Sequence, residues 1–131
     1  MIYAHSSALF KLARVEPETA ALRSWLVRRA ASLSSSGLAL VEVVRSARRL
    51  EDETLVARAR EVLDGVDLLP LDEGVLSLAG TVGGPWLRSL DAIHLASALS
   101  VKPYLDAFVA YDDRLHEAAL SAGLPAVQPG R

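Results

Sequence analysis

Arg88-Ser-Leu-Asp-Ala-Ile-His-Leu-Ala-Ser-Ala-Leu99 decides how this chain is read. The spacing predicts a helix: Leu90, Ile93 and Ser97 share one face, and Asp91, Leu95 and Ala98 share another. Its body is apolar or small all round, the pattern of a buried helix rather than a surface one. Asp91 then lies in the first turn with no obvious wet side. A carboxylate there is costly unless it is paired, hydrogen-bonded or bound to a cation. In one reading Ser89 caps the helix and Asp91 complements the positive end of its dipole. In the other, Asp91 is a metal ligand. His94 on the same helix reads more readily as a satisfied core histidine than as a ligand.

Downstream, residues 107–111 form the clearest strand, short, apolar and aromatic, running into Asp112-Asp113 and a final helix at 114–121. Gly123 stops that helix, and 125–128 reads as an edge strand. Upstream, residues 1–5 read as a first strand and 8–13 as a helix. Pro17 restarts the chain between Glu16 and Glu18. A helix is expected over 19–33, then a loop or strand approach at Ser34-Ser35-Ser36-Gly37. Leu40, Val43, Val44, Ala47 and Leu50 form an apolar helical stripe, with Glu42, Arg45 and Arg49 opposite. Residues 51–63 read as helix, 66–71 as strand, 72–82 as helix and 83–85 as a turn. Strands separated by helices indicate an α/β sandwich with a mainly parallel sheet. Ligands of such sheets lie outside the carboxyl ends of the strands, where position 5 and Asp112 both fall.

At 131 residues the chain is one domain, 1–131, with room for one core. It is 51% hydrophobic and 23% charged, which separates it from disordered chains. Cysteine is absent, so disulfides, thiolate metal sites and cysteine nucleophiles are excluded, in keeping with a reducing cytoplasm. No apolar run reaches the roughly 18 residues of a membrane span, and a signal-peptide pattern is lacking. The net charge of −2 is unevenly spread, with basic residues in excess over 1–60 and acidic ones in excess over 61–131. That division suits an anion-attracting surface beside a cation-attracting pocket. A mean hydropathy of +0.26 points to an interface, with Trp25 and Trp86 as candidate anchors.

The candidate chemistry lies in Glu42, Asp91, Asp112 and Asp113, with His5, Ser7 and His94 close by in motif terms. Separated carboxylates gathered at one sheet edge make the hard, oxygen-rich site that Mg²⁺ or Mn²⁺ requires. Each residue also has an ordinary explanation. Glu42 pairs with Arg45 at i,i+3, Asp112 caps the last helix, and Asp113 complements that helix's dipole. Arg88, Lys11, Arg45 and Arg48 are candidate phosphate contacts. Gly80-Thr-Val-Gly-Gly84 is the only glycine-rich loop and lacks the Lys-Ser/Thr of a phosphate-binding loop, so it reads as a helix stop and turn.

Taken in order, Met-Ile-Tyr-Ala-His-Ser-Ser-Ala-Leu-Phe-Lys at the start, Leu-Val-Glu42-Val-Val-Arg, Leu-Arg-Ser-Leu-Asp91-Ala-Ile-His-Leu-Ala and Val-Ala-Tyr-Asp112-Asp-Arg-Leu resemble the PIN-domain family, and within it the VapC-type toxins of toxin–antitoxin pairs. The resemblance implies a three-layer α/β/α sandwich with a short, mainly parallel sheet of four to five strands. It implies a Mg²⁺- or Mn²⁺-dependent endoribonuclease acting on structured RNA such as tRNA or rRNA, a VapB-type antitoxin partner and a homodimer. Glu42, Asp91 and Asp112 match the family's second, third and fourth metal-binding acids, with Asp113 as support. Ser7 matches a small hydroxyl residue near the metal. The first acid falls at position 5, which here is His5. Three explanations are open: an introduced attenuating change, a natural loss of activity, and a site loaded with a different metal. The rival reading is a catalytically dead PIN-fold module that binds RNA or an antitoxin peptide without cutting.

Overall fold

In the computed structural model, which describes residues 1–131, five short strands form one sheet, and the two at its heart alternate their faces. In β1 (Ile2–Ala4), Ile2 and Ala4 point into one cluster of buried residues and Tyr3 into another. In β4 (Ala107–Val109), Ala107 and Val109 join the first cluster and Phe108 the second. This is the period-two alternation of a strand buried on both faces. The stacked Tyr3 and Phe108 rings, 5.2 Å apart, tie the second cluster together.

The first cluster is covered by α1 (Ser6–Ala13), α2 (Thr19–Arg29), α3 (Leu38–Arg49) and α4 (Glu53–Asp64). On the other face, α6 (Ser89–Ser100) and α7 (Asp113–Ser121) cover the second cluster, with α5 (Glu73–Ala79) packed on α6. The expected three-layer α/β/α sandwich is therefore present. All strand pairs are parallel, in the order β3-β2-β1-β4-β5, where β2 is Leu33–Ser36, β3 Val66–Leu69 and β5 Ala126–Val127. From β1 the chain winds outward through β2 and β3 and then returns to the other flank for β4 and β5. The direction reverses between β1 and β4, and the crevice at such a reversal is where a parallel sheet presents ligands. His5 follows β1 at this point, and its N–H donates to the Val109 carbonyl at 2.9 Å.

The N-terminal half departs from the sequence reading in one place. The helix expected over 19–33 stops at Arg29, because Ala30 turns left-handed (φ 49°) and closes α2 with its N–H on the Leu26 carbonyl. Leu33, expected at the end of that helix, and Ser34–Ser36, expected with Gly37 as a loop or strand approach, are the strand beside the sheet's centre. Ser34, Ser35 and Ser36 are fully buried there. Central parallel strands are ordinarily runs of Val, Ile and Leu, so three serines conceal one. Two of the three have polar partners, Ser34 Oγ donating to the Ile2 carbonyl and Ser36 Oγ accepting the Leu38 N–H, while its own N–H donates to Tyr3 Oη; the Ser35 hydroxyl is buried without one.

The decisive helix forms as read, with one correction. Its N-cap position is Arg88, without a side-chain cap, and Ser89 is its first residue rather than its cap. Residues 92 and 94–98 are buried, Leu90 is exposed, and Asp91 lies in the first turn. The helix over 72–82 ends earlier, at Ala79, and is capped by Asp72. No helix is long and apolar enough to cross a membrane.

Candidate functional site

Four side chains meet at the reversal point: His5 from the end of β1, Glu42 from α3, and Asp91 and His94 from α6. The His5 and His94 rings stand edge to face with centroids 4.5 Å apart. Each ring faces one carboxylate. His5 Nε2 lies 3.4 Å from Asp91 Oδ1, and His94 Nε2 lies 2.5 Å from Glu42 Oε1.

The surrounding hydrogen bonds fix where the ring protons sit. His5 Nδ1 lies 3.2 Å from the Ser7 N–H and 2.9 Å from Ser7 Oγ. Ser7 Oγ already accepts the Tyr111 N–H at 2.9 Å, which leaves its own proton to donate. Nδ1 is thus an acceptor, which places a ring proton on Nε2, 3.4 Å from Asp91 Oδ1 but without a hydrogen bond to it. The same logic holds one layer deeper. Tyr3 Oη accepts the Ser36 N–H (3.0 Å) and donates to His94 Nδ1 (2.7 Å), so His94 Nε2 carries the proton delivered to Glu42. Ser6 Oγ adds a second donor to Glu42 Oε1 at 2.8 Å.

The electrostatics follow from these contacts. Burial disfavours the charged form of His94 and outweighs the pull of Glu42, so its pKa is lowered and the ring is neutral near pH 7. Burial of Glu42 works to raise its pKa. The His94 hydrogen bond, the His94 charge and Ser6 overcome it, and the carboxyl titrates below its usual range. Asp91 is likewise held low, by the His5 N–H pointed at it and against desolvation. Burial pushes the Tyr3 hydroxyl upward, which keeps it protonated as a donor. Both carboxylates are therefore ionised; Glu42 receives the His94 N–H, while Asp91 lies 3.4 Å from His5 Nε2, which makes no hydrogen bond.

Tyr3→Phe removes the acceptor of the Ser36 N–H and the donor to His94 at buried positions. The expected cost is about 1–3 kcal/mol of folding stability, measured by urea denaturation. An unchanged midpoint contradicts the hydrogen-bond chain described here.

The hard divalent cation implied by the sequence resemblance does not fit this arrangement. Mg²⁺ and Mn²⁺ take oxygen ligands, whereas position 5 supplies an imidazole in place of a carboxylate. No three His, Asp or Glu side chains are grouped so as to hold a metal ion. Glu42 and Asp91 share the cluster, while Asp112 follows the carboxyl end of β4. The Asp112 carboxylate caps α7 by accepting the Leu115 N–H at 3.0 Å. Asp113 points away, exposed, toward Gln128 and Arg131 at 3.2 Å each.

The cationic candidates divide in the same way. Arg45 lines the cleft above Glu42 and His5, an open space of about 680 Å³, together with Arg14 and Arg49. Lys11, expected as a phosphate contact, is turned inward instead. Its Nζ lies 3.0 Å from Glu18 and 4.7 Å above the Tyr111 ring, so it braces α1 against the core. Arg48 lies along a different depression, between α3 and α4. Arg88, at the start of α6, is exposed and contributes a favourable charge to Asp91. Ser7 locks His5 in place and also faces the cleft. Trp25 is half-buried against the core with Arg29 above its ring, while Trp86 is 88% exposed. Tyr3 and Ser6 carried no signal in the sequence, since a strand tyrosine and a helix-start serine have ordinary uses.

Comparison with known proteins bears on the whole chain. The family model of the PIN domain matches residues 2–120. Ribonuclease VapC47 of Mycobacterium tuberculosis (strain CDC 1551 / Oshkosh) is 46% identical over 133 aligned positions, covering 99% of this chain and 98% of the relative. Ribonuclease VapC46 of Mycobacterium tuberculosis (strain ATCC 25618 / H37Rv) is 44% identical, with 98% and 97% covered. Among solved structures, FitAB bound to an IR36 DNA fragment superposes with a TM-score of 0.73 at 16% identity, over 100% of this chain and 96% of that one.

Proposed function

This chain belongs to the PIN-domain family, among its VapC-type toxins, and from that premise we propose that it is a toxin endoribonuclease scaffold whose cation-dependent cleavage is suppressed by His5. The observation that carries the reading is the His5 Nε2–H, set 3.4 Å from Asp91 where a carboxylate would complete a hard site. An imidazole beside Asp91 adds no negative charge, whereas a third carboxylate beside Glu42 and Asp91 demands a cation. The scaffold keeps the features that would serve RNA: a cleft at the sheet's reversal point, arginines along it and two ionised acids on its floor. The cofactor of the competent form is Mg²⁺ or Mn²⁺. A VapB-type antitoxin and a second copy of the chain are the partners proposed with this role.

The test is incubation of total RNA with Mn²⁺ and either the chain as it stands or the His5→Asp variant. The variant is expected to release discrete fragments while the unaltered chain leaves the RNA intact. Intact RNA from both proteins contradicts the ribonuclease reading. Fragmentation by both contradicts suppression by His5.

A further inference from the structure

Gln128-Pro-Gly-Arg131 is a turn sequence, with proline second and glycine third. The chain folds it that way. The Arg131 N–H donates to the Gln128 carbonyl at 3.0 Å, and Gly130 takes a φ of 90°, which a side chain rarely tolerates. A Cβ on Gly130 would also lie 3.1 Å from Ala21 Cβ and 3.2 Å from Glu18 Cβ, so the turn is seated against the start of α2. Its first and last side chains both reach the link between β4 and α7. Gln128 Nε2 donates to the Ala110 carbonyl at 2.9 Å. Arg131 Nη1 donates to the Tyr111 carbonyl at 3.0 Å, and both side chains reach Asp113 Oδ1 at 3.2 Å. In return, Tyr111 Oη donates to the Pro129 carbonyl at 2.7 Å.

We propose that residues 128–131 are a latch that positions the candidate site from outside it, acting on His5 through the Ala110–Tyr111 peptide and Ser7. The Ala110 carbonyl and the Tyr111 N–H belong to one planar peptide and point in opposite directions. Gln128 grips the carbonyl end, and the N–H end donates to Ser7 Oγ at 2.9 Å. Fixing one end therefore aims the other. Ser7 gives His5 Nδ1 two donors, its own N–H at 3.2 Å and its hydroxyl at 2.9 Å. The hydroxyl is the shorter of the two, and its direction is the one that depends on Tyr111, since the arriving N–H leaves Ser7 its proton to donate. Gln128 and Arg131 are thus positioning residues. Neither lines the cleft. What they set is the direction of one peptide, and through it how firmly the His5 ring is held beside Asp91. The proposal concerns how the site is held and is independent of whether it cleaves RNA.

The test is NMR of the full chain near pH 8, above the ordinary histidine range, on the parent and on two variants that release the latch by different routes. Gln128→Met keeps the length of the side chain and removes its donor. Gly130→Val places a branched side chain where φ is positive and the space is filled. Hydrogen exchange of the Tyr111 amide should quicken at least about 5-fold in each variant, the equilibrium factor of one net hydrogen bond, while the Ile2 amide stays within about 2-fold. Ile2 is the control because its N–H is bonded to the Ser32 carbonyl at the opposite end of β1 from the site. The His5 Nδ1 resonance should move in both variants while the resonances of the His94 ring stay in place. An unmoved His5 Nδ1 resonance in either folded variant overturns the proposal and leaves the turn a structural strap. Equal quickening of the Tyr111 and Ile2 amides also overturns it, as a loss of global stability alone. No readout involves cleavage, so RNA left intact by the His5→Asp variant would count against the ribonuclease reading and not against the latch.

Discussion

The His5→Asp variant is expected to cleave RNA in Mn²⁺ at least about 100-fold faster than the unaltered chain. The size follows from what the change does to the donor set. It removes a ring N–H and supplies a carboxylate at the carboxyl end of β1, beside Asp91 and within the cluster that holds Glu42. Outer partners of metal ligands are already worth about 10–100-fold in affinity or activity, and a direct ligand is worth more. Without metal the same change places two carboxylates together, so the variant should be less stable than the parent in EDTA. It should then gain thermal stability as Mn²⁺ is added, because a ligand that binds only the folded state stabilises it by mass action. Glu42→Gln or Asp91→Asn in the His5→Asp background should return cleavage to the parental level. Activity that survives both changes contradicts the assignment of these acids.

His94→Ala carries the largest expected loss of stability, about 3–5 kcal/mol, read from denaturant midpoints. The ring is fully buried, and its removal leaves a cavity, an orphaned Tyr3 hydroxyl and a Glu42 carboxylate without its closest donor. The same residue sets a pH dependence whose sign is determined. The pKa of His94 in the folded chain lies below its unfolded value of 6.5. The unfolded state therefore takes up a proton first as pH falls through 6.5. Stability is full above that pH and declines below it, by at most about 1.4 kcal/mol per pH unit. Glu42 and Asp91, whose folded pKa values are also depressed, add their own losses at lower pH, beginning near 4.5 and 3.8. Removing His94 should flatten the profile between pH 5 and 6.5 and leave the lower limb in place. A profile flat in that interval for the unaltered chain contradicts a neutral buried His94.

The fold class was legible because its strongest signals are local. The all-apolar helix around Asp91, the strand ending before Asp112 and the cap at Asp112 each follow from a few adjacent residues. The β2 strand was hidden because its serines are compatible with the interior only once Tyr3 and the Ile2 carbonyl stand opposite them, a long-range condition. Lys11 misled for a related reason. A lysine on a short amphipathic helix reads as solvated, and only the distant Glu18 and Tyr111 turn it inward. The importance of position 5 was visible as a departure from a motif. The direction of its proton was not, since the tautomer depends on Ser7 and Tyr111, which are 104 residues apart. His94 was readable as a buried, satisfied histidine. That its satisfaction consists of holding Glu42 needed the structure.

Isothermal titration of the unaltered chain with Mn²⁺ near pH 7 asks most directly whether the His5 N–H occupies the electrostatic role of a cation. No saturable site is expected, while the His5→Asp variant should show one. Saturable binding by the unaltered chain, abolished by Asp91→Asn, would contradict the account.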